Sequence, residues 1–308
     1  MSLETFPYGN HDLQTVTIAK PYPARAPLHA ENTDNESGYW VILIHGGAWR
    51  DPTQTSTSYL TPALSILSTS ESKSPDSQFR HITGLASISY RLSPHPSHPQ
   101  DASTTMESHL RNAKHPEHIN DIQLALSFLQ KKYRFGERYI LAGHSCGATL
   151  AFQAVMPSLS VWGWEGSENN YLAPLAILGM AGIYDLRLLR DSHRNVSAYQ
   201  EFIEGAFGAD EEVWDAASPG VVRGEDGVEG WKNGRVVVLA HSKEDELCDM
   251  DQSEGMKGFL QGWEKHGPKK RGVQFLPIEG KHDEAWERGE ELTRGILFTI
   301  ERLQGLEV

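Results

Sequence analysis

The sequence predicts an α/β fold, with a mostly parallel central sheet covered by helices on both faces. Two observations carry this expectation. Short apolar runs rich in Val, Ile and Leu read almost without polar interruption, as strands buried on both faces do. Between them lie segments with apolar residues at helical spacing, and strands alternating with helices build parallel sheets through crossover units.

In chain order, the strand candidates are YWVILIH (39–45), LASISY (85–90), RYILAGH (138–144), LAILGMAG (175–182) and RVVVLAH (235–241). A further strand precedes a glycine in VQFLPIEGKHDEAWE (273–287). Helical spacing marks HINDIQLALSFLQKKY (118–133) and GATLAFQAVM (147–156). Three stretches interrupt the alternation. STSESKSPDSQ (68–78) is polar and reads as a surface loop. Residues 94–118 are rich in His and Pro. The segment from about Leu186 to Gly234 has helical patches with aromatics, and it reads as a helical cap over the strand ends, where open α/β sheets place their sites. No linker is long enough to divide the chain, so residues 1–308 are expected to form one domain with this insertion.

Composition narrows the function classes. With 308 residues, 39% hydrophobic and 22% charged, the chain can bury a substantial core. A formal net charge of −13 disfavours nucleic acid and anionic membrane surfaces, which reward Lys and Arg. No run approaches eighteen apolar residues, and the N-terminus lacks the charged and apolar regions of a signal peptide. Two cysteines in a chain of this length fit a reducing compartment. A cytoplasmic protein is therefore expected, and composition says nothing about a small-molecule substrate. The oligomeric state stays open, a homodimer being one option.

The chemistry begins at Gly143-His144-Ser145-Cys146-Gly147, a G-x-S-x-G directly after a strand candidate and directly before a helical one. Such a strand-to-helix turn projects a serine hydroxyl above the sheet. A serine needs a base, and the base needs an orienting acid. Asp245, in the acidic run SKEDELCD after a strand candidate, is the favoured acid over Glu244, Glu246 and Asp249. His282, after the last strand candidate, is the favoured base over His266. Upstream, two adjacent glycines stand where the buried strand WVILI ends. Bare backbone there lets N–H groups approach a developing oxyanion, so Gly46, Gly47 and the N–H of Cys146 are the expected donors. The pairs His95/His98 and His115/His118 have His-x-x-His spacing but no acidic or Cys partner at ligand spacing, so no metal is assigned. Cys146 reads as a small packing residue.

These residues carry a resemblance. HGGAW (45–49), SISYRLSPHP (87–96), GHSCGA (143–148), GIYDL (182–186) and HSKEDEL (241–247) are similar to the fungal form of kynurenine formamidase (arylformamidase), in the α/β-hydrolase superfamily. The likeness spans about residues 38–300. It implies an α/β-hydrolase fold, no cofactor, and hydrolysis of N-formyl-L-kynurenine to L-kynurenine and formate in tryptophan catabolism. It also implies a pocket drawing on His45, Trp49, Arg50, His144 and Tyr184. Formyl is the smallest acyl group, and Trp49 beside the glycines is a candidate wall for a tight acyl site, the alternative being that it only packs under the cap. The substrate carboxylate calls for an arginine fork, for which Arg50, Arg91 and Arg187 are candidates. The loops at 68–78 and 94–118 depart from the family pattern. Two alternatives remain: a general short-chain carboxylesterase on the same fold, and a non-catalytic binding protein that uses the scaffold.

Overall fold

The structure is a computed structural model that describes residues 2–19, 38–68, 78–160, 171–267 and 270–307. Most of the polar loop expected at 68–78 lies outside these residues. The strands are β1 (Leu3–Pro7), β2 (Thr15–Ala19), β3 (Tyr39–Ile44), β4 (Ile82–Ile88), β5 (Tyr139–His144), β6 (Ala176–Met180), β7 (Val236–Ser242) and β8 (Gly272–Ile278). They form one sheet in the order β1-β2-β4-β3-β5-β6-β7-β8. From β4 to β8 all neighbours are parallel, while β1 and β2 join antiparallel at one edge. This is the expected α/β architecture with an added N-terminal hairpin.

The helices are α1 (Ser56–Leu67), α2 (Glu117–Tyr133), α3 (Cys146–Gln153), α4 (Leu186–Ser192), α5 (Ser197–Phe207), α6 (Glu211–Ala217), α7 (Met250–Phe259), α8 (Gln261–Lys265), α9 (Glu284–Glu287) and α10 (Glu290–Glu307). They cover both faces of the sheet, and this is why the central strands carry unbroken apolar runs. In β3, Trp40, Ile42 and Ile44 join a core with α2, α3 and α4–α8. Tyr39, Val41 and Leu43 join a second core with α1, α9 and α10. Burying such a side chain stabilises by about 1.5–3 kcal/mol, so neither face of the strand can be turned to water without a large loss.

Because the central strands run parallel, their C-terminal ends lie together at one edge of the sheet. The loops leaving β3, β5, β7 and β8 there carry Gly47, Ser145, Asp245 and His282.

Candidate active site

Ser145 sits between β5 and α3 with φ 54° and ψ −123°, a conformation L-residues rarely adopt. The turn is pinned by its backbone: Ser145 N–H donates to Met180 O at 2.9 Å, and its carbonyl accepts from Ala148 at 3.0 Å. Crowding accounts for the flanking glycines. A Cβ at Gly143 would fall on the Gly147 carbonyl, and one at Gly147 on the Ile44 carbonyl.

His282 and Asp245 are paired. His282 Nδ1 lies 2.8 Å from Asp245 Oδ2, and both side chains are almost fully buried. Asp245 Oδ1 accepts from the N–H groups of Leu247 (3.0 Å) and Cys248 (2.9 Å). Burial acts to raise the Asp245 carboxyl, but hydrogen bonds from His241 and His282 outweigh it and hold it well below the usual carboxylate range. Glu244 is exposed, and Glu246 accepts from the backbone N–H of His282 at 3.2 Å. His144 Nε2 donates to the His282 carbonyl at 3.0 Å, so the His282 peptide is held from both sides. Its own Nδ1 has no partner among the described residues, and burial drives the His144 imidazole well below its ordinary pKa.

Sequence reasoning noticed His241 only as a strand end. Its Nε2 donates to Cys248 O at 2.8 Å and lies 3.3 Å from Asp245 Oδ2, while Ser253 Oγ lies 2.7 Å from its Nδ1. A carbonyl can only accept, so the Nε2 of His241 carries the proton, and the same N–H faces the carboxylate.

The segment after β3 forms a strap beside this turn. Gly47 (φ 93°), Ala48 (49°) and Trp49 (59°) all have positive φ. Gly47 therefore stands where a side chain is strained whatever the space around it. The motif SYRLSP fastens the strap. Tyr90 Oη donates to His45 O at 3.2 Å and its ring stacks on the His45 imidazole at 4.5 Å, while Ser93 N–H donates to Trp49 O at 2.9 Å. His45 is buried, and burial lowers its pKa to about 4. Cys146 is fully buried, accepts from Trp49 N–H at 3.3 Å, and burial raises its thiol to about 11, which keeps it a packing thiol.

Ser145 and His282 line one cavity of about 380 Å³. Among the described residues no direct hydrogen bond joins them, a looseness common before substrate binds. Gly47, Ala48, Arg50 and Asp51 line the cavity too, but of the expected oxyanion donors neither Gly46 nor Cys146 does. A Cβ on Gly46 would meet His144 and Ser145, so its bareness serves passage past the serine turn. The opposite wall comes from α4 and α5, through Leu189, Ala198, Tyr199 and Phe202, with Leu247 and Cys248 from the Asp245 loop. Tyr199 Oη donates to Leu247 O at 2.7 Å, tying the two parts of that wall together. Sequence reasoning did not find these wall residues, although the amphipathic spacing of Tyr199, Phe202 and Ala206 on one helix was a usable signal.

Four expected pocket residues do not line the cavity. Trp49 is fully buried beneath it, edge-on to Phe207 at 5.0 Å, so the acyl-wall role fails on position. His45 and His144 instead hold backbone. Tyr184 is buried against Phe152, where its hydroxyl covers Gly179 and Gly182. Arg50 does line the cavity. Arg91 is bound by Asp121 and Glu117, and Arg187 by Glu211 and Asp215. Among the described residues the His-x-x-His pairs form no metal-holding group: His95 and His98 pack edge-to-face, His118 is buried beside Ser93, and His115 lies against Phe207. Among the described residues, His144, His282 and Asp283 form the one group close enough to hold a metal, and His282 is already committed to Asp245.

The fold is that of the α/β-hydrolases. Esterase B from Lactobacillus rhamnosis superposes with a TM-score of 0.64 at 17% identity, over 99% of this chain and 85% of that one. The chain belongs to the kynurenine formamidase family. It is 39% identical to a kynurenine formamidase-like hydrolase of Fusarium equiseti over 92% of this chain and 89% of that one. It is 35% identical to a kynurenine formamidase of Aspergillus versicolor, over 84% and 88%. No family model matches the chain. Among the described residues no helix is long and apolar enough to cross a membrane.

Proposed function

We propose that this chain is a serine hydrolase that cleaves N-formyl-L-kynurenine to L-kynurenine and formate. The observation that carries the reading is the buried His282–Asp245 pair opening on the same cavity as Ser145. Ser145 Oγ attacks the formyl carbon while His282 Nε2 takes its proton. Asp245 holds the opposite ring nitrogen and stabilises the imidazolium. The backbone N–H groups of Gly47 and Cys146 receive the developing oxyanion. His282 then returns the proton to the leaving aryl amine, whose low basicity eases expulsion. Water, activated by the same imidazole, releases formate from the formyl-serine. The stretch from about Leu186 to Gly234, with α4–α6, acts as a cap within a single domain. The two free buried thiols fit a reducing compartment, and we place the protein in the cytosol.

Turnover of N-formyl-L-kynurenine, with Ser145→Ala falling to background, is the expected result. The apolar wall would also suit a short-chain ester, so paired formyl and acetyl aryl substrates should be compared. Preference for acetyl, without turnover of the formamide, would favour the esterase reading.

A further inference from the structure

We infer that Arg50 receives the carboxylate of the substrate's amino-acid end, and that Glu201 marks where that carboxylate lies. This rests on the formamidase reading of the site. Among the described residues Arg50 is the one arginine lining the cavity. The other two candidates are engaged elsewhere. The Arg91 guanidinium is gripped by the fully buried Asp121 at 2.8 Å and also by Glu117 at 2.7 Å. Arg187 is bound by Glu211 and Asp215, away from the cavity.

Arg50 is built into the site. It follows the strap, its N–H donates to Gly47 O at 2.9 Å, and its side chain is only 14% exposed. The guanidinium carbon lies 5.7 Å from the centre of the Phe202 ring, so an aromatic wall and a fixed cation stand side by side. An aryl group carrying a carboxylate on a short chain has that same pairing of features.

The present partner of Arg50 is a carboxylate. Glu201 Oε1 lies 2.7 Å from Arg50 Nη1, the geometry a ligand carboxylate would adopt. Glu201 is 56% exposed, and an ion pair with so open a partner contributes little to stability. A ligand carboxylate can therefore exchange with it at small cost. Asp51, next to Arg50 in the chain and itself lining the cavity, then faces the substrate ammonium. Arg50 thus acts as a specificity-determining residue, and the reacting centre at Ser145 and His282 is separate from it.

The test compares N-formyl-L-kynurenine with N-(2-acetylphenyl)formamide, the same aryl formamide without its amino-acid end. Arg50→Gln should lower the ratio of kcat/KM between the two by about 10- to 100-fold, the scale for losing a charged hydrogen bond. The loss should lie mainly in KM, with Arg50→Lys recovering part of the ratio. An equal fall on both substrates, or on neither, overturns the inference. A second measurement reads Arg50 without formamide turnover. On an activated phenyl ester, L-kynurenine should inhibit more strongly than 2-aminoacetophenone, and Arg50→Gln should erase that difference. If the wild-type enzyme leaves N-formyl-L-kynurenine intact but this difference holds, the substrate reading fails while Arg50 stands as a carboxylate site. If the enzyme turns over the formamide and Arg50→Gln leaves both ratios unchanged, the inference fails and the function stands.

Discussion

Asp245 shows how much a single side chain can carry. Its Oδ1 is fixed as an oxygen by two backbone N–H groups, so in Asp245→Asn the amide nitrogen must take the other position. There it would face His282 Nδ1 and His241 Nε2, two groups that donate to the native carboxylate. His282 would be left in the wrong tautomer, and kcat should fall by about 10⁴-fold. Glu244→Gln, on an exposed neighbour, should stay within about twofold. Steady-state kinetics on both variants check the assignment, and a damaging Glu244→Gln with a mild Asp245→Asn would reverse it. The serine, the acid and the histidine were legible as residue types because each follows a strand that ends at the site. His241 was not legible: it ends an apolar strand, and only the folded turn brings its ring against the acid. Nor could the sequence say which arginine meets the cavity, since that depends on where Asp121, Glu211 and Asp215 fall.

At the scale of elements, the strap after β3 and helix α5 lock together through Trp49. The indole is fully buried and contacts Phe202 and Phe207 of α5. Trp49→Ala should therefore destabilise the protein by about 3–5 kcal/mol, the usual cost of emptying a buried aromatic site. Equilibrium unfolding in urea reads this directly. A change in the formyl-to-acetyl ratio with unaltered stability would restore the acyl-wall role. The central strands were legible because both faces of the sheet are covered, which leaves a continuous apolar signature. The N-terminal hairpin was not. β1 (LETFP) alternates exposed and half-buried residues and contains a proline, so its pairing with β2 has no comparable sequence signal. Of the cavity walls only the α5 face carried a sequence signal, because Leu189, Tyr199 and Leu247 come from three segments that meet only in space.

Across the whole molecule, several imidazoles are buried in neutral form. Burial lowers His45 to about 4 and His118 to about 3. Below pH 6.5 the unfolded chain takes up protons at these positions, and the folded chain does not. The stability they contribute is thus complete above about pH 6.5 and lost as the pH falls toward 4, by up to about 1.4 kcal/mol per pH unit for each. Asp245, held low, stays charged through this window. Urea unfolding at pH 7.5 and 5.5 should show the fall, and His118→Gln should make it smaller by roughly 1.4 kcal/mol over that interval. An unchanged slope would mean that His118 takes up its proton without unfolding. The same molecule carries a different kind of load at Ser145. Its positive φ holds strain on the order of 1–3 kcal/mol. Glycine would relieve that strain, less about 0.5–1 kcal/mol of extra chain entropy, whereas alanine would keep it. Both variants should be inactive, yet Ser145→Gly should melt a few degrees above Ser145→Ala. Equal melting temperatures would mean that the turn is relaxed. If glycine does melt higher, selection for heat tolerance alone would erase the nucleophile, and only the demand for turnover keeps a serine at this turn.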